Sequence, residues 1–326
     1  MIGRGPLFTE DYRPQFSGHE TFPLRYGWLK KAFDAIEATE SASEQGDPTN
    51  RRIFLDEDAI ARFGVGKNMV ASMRHWAAAT GILEDGPGPA QISTTPFGRA
   101  LFGSAGLDPY LEHQASLWLL HWHLAARPAK TTWFWVFNYY PSISFERDHL
   151  IRGLERIARD RAWARVADST IRNDVACFIR TYVAQYAKTG AAQEDALESP
   201  LTELGLIKPV GKRDGFRFDR GPKQSLPAGV FAYALLDFWT RFRGEAATLS
   251  CESIMHEPGS PGRVFLLDEN DVMTRLSELE DVTRGGLQFS ETAGLKVVSR
   301  TNQFTLKIAF SLIRHDYRSA PRKKAA

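Results

Sequence analysis

Between Phe54 and Phe102 the apolar and polar positions run in the order helix, tight turn, helix, hairpin. Asp56-Glu57-Asp58 opens a first helix, with carboxylates where the positive helix N-terminus favours them. Phe63-Gly64-Val65-Gly66 breaks it, glycine supplying the positive φ that such a turn needs. Lys67-Asn68 starts a second helix in which Met69, Val70, Met73 and Trp76 recur at three- and four-residue spacing and face a core. Lys67, Asn68, Ser72, Arg74 and His75 are left more exposed. Ile82-Leu83 and Gln91-Ile92-Ser93-Thr94 predict two short strands around Asp85-Gly86-Pro87-Gly88-Pro89, a turn by composition. This is the pattern of a winged helix-turn-helix. Its second helix would enter the major groove with Lys67 and Asn68 nearest the bases and Ser72 and Arg74 alongside. An ordinary helical hairpin packed on another protein element is the alternative.

Upstream, Leu24, Trp28, Leu29 and Phe33 predict one helical face, with Pro23 in its first turn and Thr21 as its cap. His19, Glu20 and Arg25 sit at its start. Two readings stand: they cap and pin the helix, or they form a catalytic or phosphate-contacting cluster, since a His beside a Glu can move a proton or hold a divalent ion near neutral pH. Residues 38–52 are polar and breaker-rich and read as a surface loop.

Downstream, Leu107 to Leu124 reads as a helix rich in Leu and Trp, with His121 and His123 on different sides. The aromatic run from Trp133 to Phe145 reads as core rather than as a base-stacking platform. Glu146 to Ala164 is helical. Asp168-Ser169-Thr170 then caps a further helix whose exposed Arg172 and Asn173 suit phosphate or base contacts, although a plain capped helix fits equally. Asp214-Gly215 between apolar alternations predicts a hairpin. Lys208, Lys212, Arg213, Arg217, Arg220 and Lys223 make it the most basic patch of the chain, suited to a phosphate backbone, although a solvated hairpin fits equally. Pro227 to Arg243 is a helix, and so is Thr248 to His256. A helix opened by Asp268-Glu269, followed by strands around Thr292-Ala293-Gly294, repeats the order helix, helix, hairpin and predicts a second winged module.

The fold class expected is therefore mainly α with small β-hairpin wings, winged modules at both ends flanking a helical middle. The expected segments are 1–105, 106–225 and 226–326. At 326 residues the chain suits two or three domains. A net charge of +2 excludes a polycation and requires any nucleic-acid contact to use a local patch. No apolar run approaches the roughly 20 residues of a membrane span. The start of the chain lacks a signal-peptide pattern, and Cys177 and Cys251 form no metal or redox spacing, so a reduced cytoplasmic protein is expected. Gly64-Val65-Gly66-Lys67 lacks the full phosphate-loop pattern, and no nucleotide cofactor is expected.

Three blocks carry a resemblance: Phe16-Ser17-Gly18-His19-Glu20-Thr21-Phe22-Pro23-Leu24-Arg25 with Trp28-Leu29-Lys30; Gly64 to Val70 with Trp76; and Ser260-Pro261-Gly262, Phe265 and Thr292-Ala293-Gly294. They resemble a bacterial family first described as a domain of unknown function, and are similar to the B component of the Ssp single-strand DNA phosphorothioation system. The resemblance implies phage defence, double-stranded DNA as ligand and nicking of one strand. It also implies an ATPase, a cysteine desulfurase and a reductase-like sulfur-transfer protein as partners. It carries over no catalytic motif. A homodimer is left open. From the residues themselves, His19, Glu20 and Arg25 are the expected chemistry, with Mg²⁺ or Mn²⁺ as the ion such a reaction often uses. A non-catalytic adaptor and a transcription regulator are the alternatives.

Overall fold

The computed structural model describes residues 5–44, 53–86, 91–163, 166–184, 199–211, 215–301 and 303–319. In chain order the elements are α1 (Trp28–Glu44), α2 (Ala59–Phe63), α3 (Lys67–Ala79), β1 (Leu83–Asp85), β2 (Ile92–Thr94), α4 (Pro96–Phe102), α5 (Gln114–Ala125) and α6 (Thr131–Asn138). Next come β3 (Ser144–Glu146), α7 (Arg147–Asp160), α8 (Asp168–Tyr182), β4 (Ile207–Val210), β5 (Gly215–Phe218), α9 (Ala228–Arg243), β6 (Thr248–Ser250) and α10 (Cys251–His256). The last are α11 (Pro261–Val264), α12 (Glu269–Ser277), α13 (Leu279–Thr283), β7 (Leu287–Thr292), β8 (Leu295–Arg300) and α14 (Leu306–Ser319). The chain is mainly helical with small antiparallel sheets, as expected. Its contacts group into two units of discontinuous sequence. One combines Arg13–Leu111 with Glu146–Gly205; the other combines the N-terminal segment ending at Tyr12, Glu112–Phe145 and the chain from Leu206 onward. The expected boundaries run along the sequence, so this grouping crosses them.

In the unit containing α3, α1 packs against α3, α4 and β2, and α7 packs against α8. Phe33, Ile36, Val70, Met73, Trp76 and Phe102 are buried there. Helix α1 differs from expectation at both ends. It begins at Trp28, not near Pro23, and it runs on to Glu44 through residues expected to be a loop. Side chains stabilise that polar half: Thr39 Oγ1 donates to Ile36 O, and Glu40 accepts from Thr94 N and Oγ1 at 2.8 and 2.7 Å. At the α2–α3 turn the left-handed residue is Gly64, φ 66°, whose N–H closes α2 on Ile60 O.

The other unit is built on α5, α6 and α9. Every residue of α6 is buried, and Trp118, Trp122, Trp133 and Trp239 are fully enclosed, which agrees with the core reading of the aromatic run. Trp122 Nε1, Arg127 and Arg241 all donate to Asp237. Burial would raise the Asp237 carboxyl, but the two guanidiniums outweigh it and hold the group below its ordinary value. His121 Nε2 bonds Val264 O at 2.8 Å, and burial pushes its imidazole down to about 4.

Two three-stranded sheets complete this unit, in orders β3-β5-β4 and β6-β8-β7. The β7–β8 hairpin closes through Ala293 and Gly294, φ 51° and 79°, the two positive values of a type I′ turn. Strand β6 lies where a continuous helix was expected. Thr248-Leu249-Ser250 pairs with β8, Leu249 points inward, and Ser250 then caps α10 by accepting from Ser253 N. Among the described residues no helix is long and apolar enough to cross a membrane.

Helix α9 has no side-chain cap of its own. Asp316 of α14 supplies one, accepting from Gly229 N at 3.3 Å and Val230 N at 3.0 Å. Burial lifts its carboxyl from 3.8 to about 6, against the lowering effect of those two bonds. A raised carboxyl means the folded state holds the proton more tightly than the unfolded chain. Its contribution to stability is therefore greatest below the unfolded value and falls as pH rises through the folded one. Asp316→Asn is expected to flatten the stability–pH curve of this unit between about pH 4 and pH 7, read by thermal melts of both proteins across that range.

Candidate functional site

The segment Phe16–Arg25 reaches α1 without forming a helix, and Ser17, Gly18, Glu20 and Thr21 all have positive φ. Such backbone persists only when its surroundings over-determine it. Here Asp174 of α8 does so: its Oδ1 accepts from Ser17 N and bonds His19 Nε2, both at 2.8 Å. Thr21 N donates to His19 Nδ1 at 3.0 Å. That bond leaves Nδ1 as the acceptor and assigns the ring proton to Nε2, which donates to Asp174. Phe22 O accepts from Trp76 Nε1 at 3.0 Å and Cys177 Sγ at 3.3 Å, and Arg180 Nη1 donates to Thr21 O at 3.0 Å. Gly18 passes so close to α3 that a Cβ there would lie 2.6 Å from His75 Nδ1. His19 is thus 2% exposed, with both ring nitrogens engaged. Glu20 is exposed.

The segment so held forms one wall of a cleft of about 760 Å³. Arg25 comes from this wall, Lys31 from the first turn of α1, and Lys67 and Asn68 from the first turn of α3. Arg25 is 6% exposed, its guanidinium 5.6 Å from the Phe22 ring centre and 5.5 Å from that of Trp28. Lys31 Nζ donates to Phe63 O at 3.1 Å, tying α1 to the end of α2. The N-cap of α3 is Gly66, which has no side chain to cap the first N–H groups. Among the described residues the lining holds three cations and no carboxylate, so its electrostatics favour an anion.

Of the residues expected at a site, Arg25, Lys67 and Asn68 share this cleft. Ser72 does not join them. It is fully buried, because the inward face of α3 is wide enough to include it beside Met73 and Trp76. Arg74 is half-buried and pairs with Asp85 of β1 at 2.8 Å. Arg172 and Asn173 face solvent on α8, immediately before Asp174. Arg217 is exposed on β5, in the other unit, and Lys212 and Arg213 lie outside the described residues. The residues that sequence reasoning gave no role are Asp174 and Lys31. A signal for Lys31 existed: Phe22, Arg25, Trp28 and Lys31 recur every three residues, and all four line the cleft.

Residues 16–317 match a family described as a protein of unknown function, DUF4007. The chain belongs to the DUF4007 family. Two solved structures are similar to it. One is described as a magnesium ion-bound SspB crystal structure, with 32% identity, a TM-score of 0.81, and coverage of 95% of this chain and 91% of that one. The other, an SspB crystal structure, has 31% identity, a TM-score of 0.79, and coverage of 94% and 90%. No curated protein matches the chain. This DUF4007 member is therefore SspB-like over nearly its whole length, in agreement with the resemblance carried by its motifs.

The first of those SspB structures is described as magnesium ion-bound. Among the described residues no three His, Cys, Asp or Glu side chains converge. Both nitrogens of His19 are in use, which leaves Glu20 as the donor on its segment. These residues do not fit a protein-built cage, although magnesium is commonly held by one or two carboxylates with water and phosphate oxygens.

Removing His19 leaves a buried carboxylate with Ser17 N as the donor to its Oδ1, and its Oδ2 already has no hydrogen-bond partner among the described residues. His19→Ala is expected to lower unfolding stability by about 3 kcal/mol. Asp174→Asn, which keeps an acceptor oxygen, should cost clearly less. Urea titrations of the three proteins check the order.

Proposed function

We propose that this chain is a DNA-binding component of a bacterial DNA phosphorothioation system in phage defence, and that it nicks one strand to admit sulfur. It would act in the cytoplasm beside an ATPase, a cysteine desulfurase and a reductase-like sulfur-transfer protein. The observation that carries the reading is the carboxylate-free cationic cleft at the start of α3. Helix α2, the Gly64 turn, α3 and the β1–β2 hairpin are read as a winged helix-turn-helix, with Lys67 and Asn68 at the DNA-facing end of the recognition helix. The helices α12 and α13 followed by the β7–β8 hairpin, with sheet order β6-β8-β7, support a second winged module. Arg25 and Lys67 would neutralise a backbone phosphate, and Arg25 is pre-positioned by the two rings it lies against. His19 positions the segment, and exposed Glu20 is the remaining group there for activating water.

The engaged nitrogens of His19 favour a second reading, a DNA-binding adaptor without chemistry of its own. Supercoiled plasmid with Mg²⁺ or Mn²⁺ separates the two. The nicking reading expects open circles from the wild type, and from Glu20→Ala normal binding without nicking. Binding without nicking by the wild type leaves the adaptor. Lys67→Ala is expected to weaken duplex binding about tenfold and to reduce the salt slope by about 1, measured by anisotropy across a salt series. Binding confined to the chain's own promoter would instead indicate a regulator.

A further inference from the structure

A duplex phosphate would use only part of the cleft. Beside the three cations, the lining includes Phe22, Tyr26, Trp28, Ile60 and Met69. Tyr26 is 37% exposed and Ile60 50%, so this apolar portion is open to a ligand. The Tyr26 hydroxyl donates to Glu203, in the 3-10 turn Pro200–Leu204, which fixes the ring from outside the cleft. Asn68, exposed at the α3 start, carries both a donor and an acceptor. At about 760 Å³ the space lies within the roughly 300–1,000 Å³ range of sites that enclose a small molecule. The lining is therefore two-sided, cationic in one part and aromatic or aliphatic in the other, with one amide able to read a polar edge.

We propose that this cleft receives a single nucleotide turned out of the duplex. Its phosphate would lie against Lys67, Arg25 and the uncapped N–H groups of α3, its base against Tyr26 and Ile60, and its edge within reach of Asn68. This rests on the DNA-binding reading above and adds to it the form of DNA bound. Extruding a base costs stacking and pairing, and an aromatic surface that restacks it offsets that cost. A nucleotide held this way has its phosphodiester drawn out of the regular backbone, where one strand is addressed and the other is not.

The test uses two duplex oligonucleotides, one fully paired and one with a central mismatch carrying 2-aminopurine, in buffer with chelator so that no strand is cut. The full chain is expected to bind the mismatched duplex about tenfold more tightly, because part of the extrusion cost is already met. The 2-aminopurine fluorescence should change on binding as the base leaves the stack. Tyr26→Ala should lose the preference while keeping affinity for the paired duplex. Tyr26→Phe, which drops the Glu203 bond but keeps the ring, should retain it. Equal affinity for the two duplexes, or an unchanged preference in Tyr26→Ala, overturns the extrusion proposal and leaves DNA binding standing. Failure to bind either duplex overturns both.

Discussion

One carboxylate oxygen determines the shape of the candidate site. Asp174 Oδ1 takes two hydrogen bonds from a segment more than 150 residues earlier, one from Ser17 N and one from His19. Those bonds hold a run of positive-φ residues that no local propensity would select. Without them Phe22 O would not be aligned with Trp76 and Cys177, and Arg25 would not lie against the Phe22 and Trp28 rings. The His–Glu pair that suggests proton transfer is, in its His, a device for holding backbone. What that anchoring makes possible lies further along the chain, where Arg25 lines the cleft.

That cleft also accounts for how a nearly neutral chain can favour an anion. The net charge of +2 is spread over a large surface, whereas Arg25, Lys31 and Lys67 line one concavity without a carboxylate among them. Fields add within a concave, low-dielectric wall and cancel over an open surface, so local arrangement outweighs total charge. The basic hairpin at β4–β5 shows the contrast: Lys208 there pairs with Asp219, and Lys223 is turned inward onto the carbonyls of Asp219 and Gly221.

Elements governed by neighbours in sequence were legible. The α2–α3 turn announced itself through Gly64, the β7–β8 hairpin through Ala293-Gly294, and the buried α6 through its unbroken aromatic run. What depended on distant partners was not. Strand β6 exists because β8 offers it an edge, and β3 because β5 does; neither has a hairpin partner beside it in the chain. The polar end of α1 is helical because Glu40 finds Thr94. Ser72 is buried although polar, because polarity is a weak guide to burial for a residue small enough to sit on the inward face of α3. His19 was noticed as reactive chemistry, but its role depends on Asp174, which sits in a helix read only for its exposed Arg172 and Asn173.

The discontinuous make-up of the two units sets an order on their assembly during synthesis. The unit containing α3 has all its segments once Gly205 has left the ribosome, so its Asp174 latch can close while a third of the chain is unmade. The other unit cannot finish then. Its α5 and α6, already synthesised, carry buried tryptophans that pack against α9 and α11, and the N-terminus of α9 is capped by a later helix, through Asp316. The most aromatic stretch of the protein is therefore made before the helices that cover it, and that interval is when the chain has most need of protection from association through that surface.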